Sequence, residues 1–177
     1  MQHVAPIAKN MQDSCMTAAK RATRSPLDAI DRKIVTTLQR TGRASNVELA
    51  AKVHLSAPQC FRRTRALEDR GVITGYAARV DPQALGYDVT AYVAVSIAGD
   101  QFNRVREIER ELAAYPQVLE CHAVSGDHDY LLKVVAYDLK DLSQLLTDRL
   151  MQIQGVDDVR SMIALEEVKP PSPVPVE

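Results

Sequence analysis

Two helix-start signals stand eleven residues apart in this chain, Ser45-Asn46-Val47-Glu48 and Ser56-Ala57-Pro58-Gln59. In the first, the serine oxygen can accept from a free amide of the first turn while the glutamate reaches back to the serine's own amide. In the second, proline occupies the first turn, where its missing N–H costs nothing. The spacing leaves room for one helix of about eight residues and a tight connection at His54-Leu55. A longer helix follows to about Arg70, with Gly71 as its left-handed stop. Upstream, Leu27, Ile30, Ile34 and Leu38 recur in steps of three and four, which predicts a helix over 27–42 that Gly42 ends. On the second helix Val47, Leu49, Ala50 and Val53 are candidates for burial; on the third, Cys60, Thr64 and Leu67 share one face. Gln59, Arg62, Arg63 and Ala66 point elsewhere, with Arg65 near the boundary. A supporting helix followed by a short and a longer helix is a helix-turn-helix, whose last helix can lie in the major groove of DNA.

After Gly71 the hydrophobic period changes from that of a helix to that of a strand. Val72 to Val80 reads as a short strand, and Asp81-Pro82 with Leu85-Gly86-Tyr87 as a hinge. Val89, Ala91, Val93, Val95 and Ile97 alternate as in a strand. A helix over 102–115, a strand from Val118 to Val124, a turn at Ser125 to Asp129, a strand from Tyr130 to Tyr137, a helix over 139–153 and a strand from Val156 to Val168 complete the pattern. This β-α-β-β-α-β order is the ferredoxin-like split unit, so the fold class is α+β. Helices in this arrangement cover one face of the sheet, and Tyr92, Ala94, Val124 and Val135 lie on the other. A second copy of the same sheet is the common cover for such a face.

With 46% hydrophobic and 25% charged residues the chain can build a core, which excludes wholesale disorder. Net charge is −1, but it is divided: residues 20–71 hold twelve Lys and Arg against five Asp and Glu, and residues 72–177 hold nine against seventeen. A basic front and an acidic back suit a polyanion-binding domain joined to one that must not bind polyanions. The cysteines Cys15, Cys60 and Cys121 form no CxxC pair and suit a reducing compartment. Apolar runs fall short of a membrane span. His122, Asp127, His128 and Asp129 hold no register for a metal, and no nucleophile has a recognisable base beside it. Neither metal, cofactor nor enzymatic activity is expected.

The residues also resemble a known family. Leu27-Asp28 with Asp31-Arg32, Gly42-Arg43 with Ser45 to Ala50, and Arg63 to Tyr76 are similar to the DNA-binding part of the Lrp/AsnC (leucine-responsive regulatory protein) family. Glu120 to Lys133 and Glu166-Glu167-Val168-Lys169 resemble its ligand domain. The resemblance spans about residues 27–169. It implies a winged helix-turn-helix, a hinge strand and a RAM (ACT-like) ligand domain. It further implies homodimers that assemble into octamers, and an amino acid or related metabolite as effector held at subunit interfaces.

The expected organisation is a flexible arm over 1–26, a DNA-binding domain over 27–76, a hinge strand and linker over 77–87, a ligand-binding and dimerisation domain over 88–168, and a Pro-rich tail over 169–177. Arg43, Ser45, Ser56, Gln59, Arg62, Arg63 and Arg65 are the candidate contacts to double-stranded DNA: arginine suits guanine edges or phosphate, glutamine suits adenine, and helix starts attract anions. The bland alternative is a solvated basic helix face. Val124, Ser125, Gly126, Asp127, His128, Asp129 and Tyr130 are the candidate effector contacts. They form a turn in either case, and the resemblance adds amides and a carboxylate able to meet the two charged ends of an amino acid. A cytoplasmic, nucleoid-associated regulator is the expectation. An amino-acid-binding regulatory subunit of an enzyme, or an architectural DNA-compacting protein without an effector, are the other readings.

Overall fold

The computed structural model describes residues 27–99 and 101–176; the arm expected over 1–26 lies outside the described residues. They fall into two compact units, 27–77 with 173–176, and 78–172. In the first unit Asp28 opens helix α1 (Ala29–Arg40) by accepting from the amides of Ile30 at 2.9 Å and Asp31 at 2.7 Å. Two of the orphan donors of the helix start are thereby satisfied. The helix is shorter at both ends than its apolar spacing suggests and closes at Thr41, not Gly42. Helix α2 (Asn46–Val53) ends in a left-handed His54, and helix α3 (Ala57–Asp69) is followed by Gly71 at φ +67°. Ile34, Leu49, Ala50, Val53, Cys60 and Leu67 close on one another as the core of this unit. Val47 is 70% exposed, against expectation. It stands two positions from Leu49, about 200° round the helix, so the same turn cannot bury both.

No strand forms over 72–80. Alternating residues provide the surface of a strand, but ladder bonds need a neighbouring strand, and among the described residues none pairs with this segment. The amides of Val72 and Ile73 instead donate to the carbonyl of Leu67, closing the last turn of α3. The tail residues 173–176 belong to this first unit. Val174 lies between two prolines that have no N–H to offer, and the side-chain amide of Gln39 meets both of its backbone groups, accepting at 2.7 Å and donating at 3.0 Å.

The second unit begins with a single turn at Gln83–Leu85, Gly86 at φ +87°, and Tyr87 stacked on Tyr137 with ring centres 4.5 Å apart. Strand β1 (Val89–Ile97) then takes the middle of a four-stranded antiparallel sheet of order β2-β3-β1-β4, with β2 (Val118–Ala123), β3 (Tyr130–Ala136) and β4 (Val156–Ile163). Helix α4 (Val105–Leu112) follows a 3-10 turn, and α5 (Leu139–Gln144) continues through a widened turn to Gln152. Ala91, Val93, Val95 and Ile97 alternate into one core with Leu132, Val134, Ile108, Leu112, Leu142 and Leu150. This is the split β-α-β-β-α-β arrangement, and the fold is α+β as expected. Gly155 enters β4 at φ +104°, a conformation strained for any residue with a Cβ, and a Cβ there would also crowd Ile108 Cδ1 on α4 at 2.8 Å. The last strand stops at Ile163, short of Val168: Leu165 and Val168 stand almost fully in solvent.

On the side of the sheet away from the helices, Tyr92 and Met162 are exposed. Ala94 and Val135, expected on that same face, are buried within the single chain. No helix among the described residues is long and apolar enough to cross a membrane.

Candidate nucleic-acid interface and effector loop

Helix α3 divides its residues cleanly. Cys60, Thr64 and Leu67 face the core, and the outward strip Pro58, Phe61, Arg62, Arg65 follows the i, i+3, i+4, i+7 spacing of a single helical face. The basic residues proposed from sequence are not equivalent. Arg63 turns toward α1, its guanidinium 2.6 Å from an Asp28 oxygen and 2.8 Å from one of Asp31, with Arg70 a further 3.8 Å partner of Asp31. The hydrogen bond it donates to Asp28 first, then that to Asp31, raises the Arg63 pKa above its ordinary value. The Asp28 carboxyl is held below its own, first by the amide of Asp31 and then by Arg63. Arg63 therefore ties the third helix to the first. Arg65 is exposed and reaches Glu68 and Asp69 at 3.5 Å each, a loose solvent-facing pairing that phosphate can displace. Arg43 and Arg62 are exposed and make no ion pair among the described residues.

The two helix starts are occupied by their own boxes. Glu48 accepts from the amide and the hydroxyl of Ser45, both at 2.8 Å, while the Ser45 oxygen accepts from the Glu48 amide at 3.2 Å. The Ser45 amide bond holds the Glu48 carboxyl below its ordinary pKa, so a carboxylate already sits at this helix start. At α3, the Gln59 side-chain oxygen accepts from the Ser56 hydroxyl at 3.0 Å and its amide at 3.4 Å. A bidentate glutamine–adenine contact uses both ends of the amide, so Gln59 reads a base in that way only by releasing its cap.

Sequence reasoning missed Phe61. The residue is 57% exposed at the edge of the outward strip, beside Arg62 and Arg65, and also borders a cleft of about 390 Å³ with Leu38, Glu68 and Tyr76. The signal was present: Phe61 is out of phase with Cys60, Thr64 and Leu67. Tyr76 donates to Glu68 at 3.0 Å, which folds the chain after α3 back upon it; burial and that carboxylate push its phenol up to about 12.

The second candidate site is the turn between β2 and β3. It is fixed at one end and open at the other. Asp129 donates its amide to the Val95 carbonyl at 3.0 Å, gives its carbonyl to the Val124 amide at 3.0 Å, and accepts the Ile97 amide on its carboxylate at 2.7 Å. His128 Nδ1 lies 3.1 Å from the Ser96 hydroxyl. Ser125, Gly126 and Asp127 stand exposed, with Gly126 at φ +128° making the reversal. Tyr130 leaves the group altogether. It is buried, and its hydroxyl donates to Glu109 on α4 at 3.0 Å; burial and that carboxylate push it up to about 12.

A helix-turn-helix followed by a ferredoxin-like domain with an exposed turn defines a two-domain DNA-binding regulator. Comparison with known proteins gives the particular kind. Residues 27–74 match the winged helix-turn-helix DNA-binding model, and residues 90–174 match the Lrp/AsnC ligand binding domain. A leucine-responsive regulatory protein from Rhizobium meliloti is 42% identical over 146 residues, covering 82% of this chain and 94% of its own. A Neisseria meningitidis transcriptional regulator solved as a complex with L-Met superposes with a TM-score of 0.79 at 36% identity, covering 84% of this chain and 96% of that one. The Mycobacterium tuberculosis feast or famine regulatory protein complexed with L-methionine gives 0.76 at 34%, covering 81% and 95%. This chain belongs to the Lrp/AsnC family of DNA-binding transcription regulators.

Proposed function

We propose that α3 enters the major groove, one copy per half-site of a roughly palindromic operator, and that an amino acid taken up at the 124–130 turn modulates binding by changing how subunits assemble. The observation that carries the first part is the outward strip of α3, whose Arg62 and Arg65 face away from the core while Arg63 braces the helix. Arg43, Arg62 and Arg65 are assigned to DNA directly. Ser45, Ser56 and Gln59 shape the two helix starts beside it, and Arg63 is a positioning residue.

At the turn, Ser125, Gly126 and Asp127 with Val124 and His128 are assigned to the effector; Asp129 and Tyr130 hold the turn in place. The L-methionine in the two solved relatives supports an amino acid of this class. The sheet face bearing Tyr92 and Met162 is assigned to homodimerisation, with octamers as the further assembly. The protein acts in the cytoplasm on nucleoid DNA, as a regulator and not as an enzyme.

Fluorescence anisotropy with duplexes enriched from a random library tests the DNA reading. Binding should be tight at low salt and fall steeply as salt rises, by about 0.9 in logarithmic slope per phosphate contact. No binding at low salt ends the proposal. A thermal-shift screen of the twenty amino acids tests the effector, since a ligand that binds only the folded protein must raise its melting temperature.

A further inference from the structure

Phe61 borders the cleft with Leu38 and Tyr76 but is not part of the core. The core of the first unit closes without it, and it stands on the outward strip with Pro58, Arg62 and Arg65. More than half of this large apolar residue is exposed to water, on the helix that the preceding proposal places against DNA. The arginines beside it can be satisfied by phosphate or by guanine edges; a phenyl ring can be satisfied by neither. The apolar group that the edges of the bases present in the major groove is the C5-methyl of thymine. The ring is also rigid, with two side-chain torsions to fix, so it can meet a methyl group at little entropic cost.

We infer that Phe61 is a specificity-determining residue that reads thymine by packing on its 5-methyl group. The inference rests on α3 entering the major groove. It adds an apolar reader to a helix whose Gln59 is tied into its own cap and whose Arg63 is tied to α1. Selectivity along the site then comes from where a methyl group lies as well as from where a guanine lies.

Deoxyuridine differs from thymidine at this edge by the methyl group alone, so it isolates the contact. The full chain is titrated by anisotropy with an enriched duplex, and each thymine is replaced in turn by deoxyuridine. One or two positions per half-site should weaken binding by about 3- to 10-fold, roughly 0.6–1.4 kcal/mol. F61A should bind the thymine and uracil duplexes alike, at the wild-type affinity for the uracil duplex, with its melting temperature unchanged. F61L should retain part of the preference. Two results overturn the inference: a wild-type protein indifferent to every uracil, or an F61A protein that keeps the same uracil penalty. The scan on the wild type stands whether or not a variant folds. Absence of binding to any duplex removes the groove-docking proposal itself and this inference with it, and is recognisable because no thymine dependence can then be measured.

Discussion

The face of α3 and the turn at 124–130 solve the same problem in opposite ways. In the proposed function both present polar groups to a partner, and both must first hold their own backbone in place. On α3 the holding residue and the presenting residue are neighbours in sequence but lie on different sides of a helix: Arg63 is bound to Asp28 and Asp31, and Arg62 faces out. In the turn they alternate along one short loop, where Asp129 is bonded to the Ile97 amide while Asp127, two residues earlier, is exposed. In each pair the two side chains have identical chemistry. A charged residue of the right type in the right segment is therefore a candidate for structure as much as for function, and what separates the two is which groups the fold has already placed beside it.

The largest test of this contrast is the arginine pair. Arg62→Ala should cost about 1–3 kcal/mol of DNA binding at constant salt and leave the melting temperature unchanged. Arg63→Ala should do the reverse, lowering stability by about 1–2 kcal/mol because Asp31, which is nearly buried, loses its near partner. Calorimetry beside anisotropy reads both. Loss of DNA affinity by the Arg63 variant at full stability would return it to the interface.

Next is the aspartate pair. Asp129→Ala leaves the Ile97 amide without its acceptor and should cost about 1–2 kcal/mol, read by thermal or denaturant unfolding. Asp127→Ala should leave stability and DNA binding alone and abolish the response to the effector amino acid. An unaltered response would place the pocket elsewhere.

A smaller effect is expected from the cap. Ser45→Ala removes the acceptor of the Glu48 amide and should cost about 1 kcal/mol, with DNA affinity falling only through the loss of folded protein.

The smallest concerns pH. Asp28 ionises below its ordinary 3.8 because the Asp31 amide, and then Arg63, favour the carboxylate. Its contribution to stability is thus complete above that value and is lost as pH falls through the depressed folded one. Asp28→Asn should follow the wild type from neutrality down to about pH 4 and then decline less steeply, as melting curves across that range would record.

Much of this architecture was readable from the chain because it depends on local rules. The two capping boxes place α2 and α3 within a residue or two, since a serine three positions before Glu or Gln has its bonding partners within one turn. Gly71 sits at positive φ where the third helix had to end. Alternation marks β1, and the order of elements then gives the sheet topology. Apart from Val47, whose phase on its own helix exposes it, the strand readings that failed were those needing a distant partner. Val72 to Val80 has the residues of a strand but nothing among the described residues to pair with, and Leu165 and Val168 extend an alternation beyond the sheet.

The sequence by itself determined the kind of protein: helix starts, stops and periods are short-range, and together they specify a helix-turn-helix joined to a split α+β unit. Only the tertiary structure decided which members of each candidate set remain free. Asp28 lies 35 residues from Arg63, and Asp129 lies 32 from the Ile97 amide. Nothing in the local pattern announces either meeting, because bonds across the fold are chosen by packing and not by neighbours in the chain. The same packing leaves Phe61 outside the core, at the edge of the outward strip that carries Arg62 and Arg65.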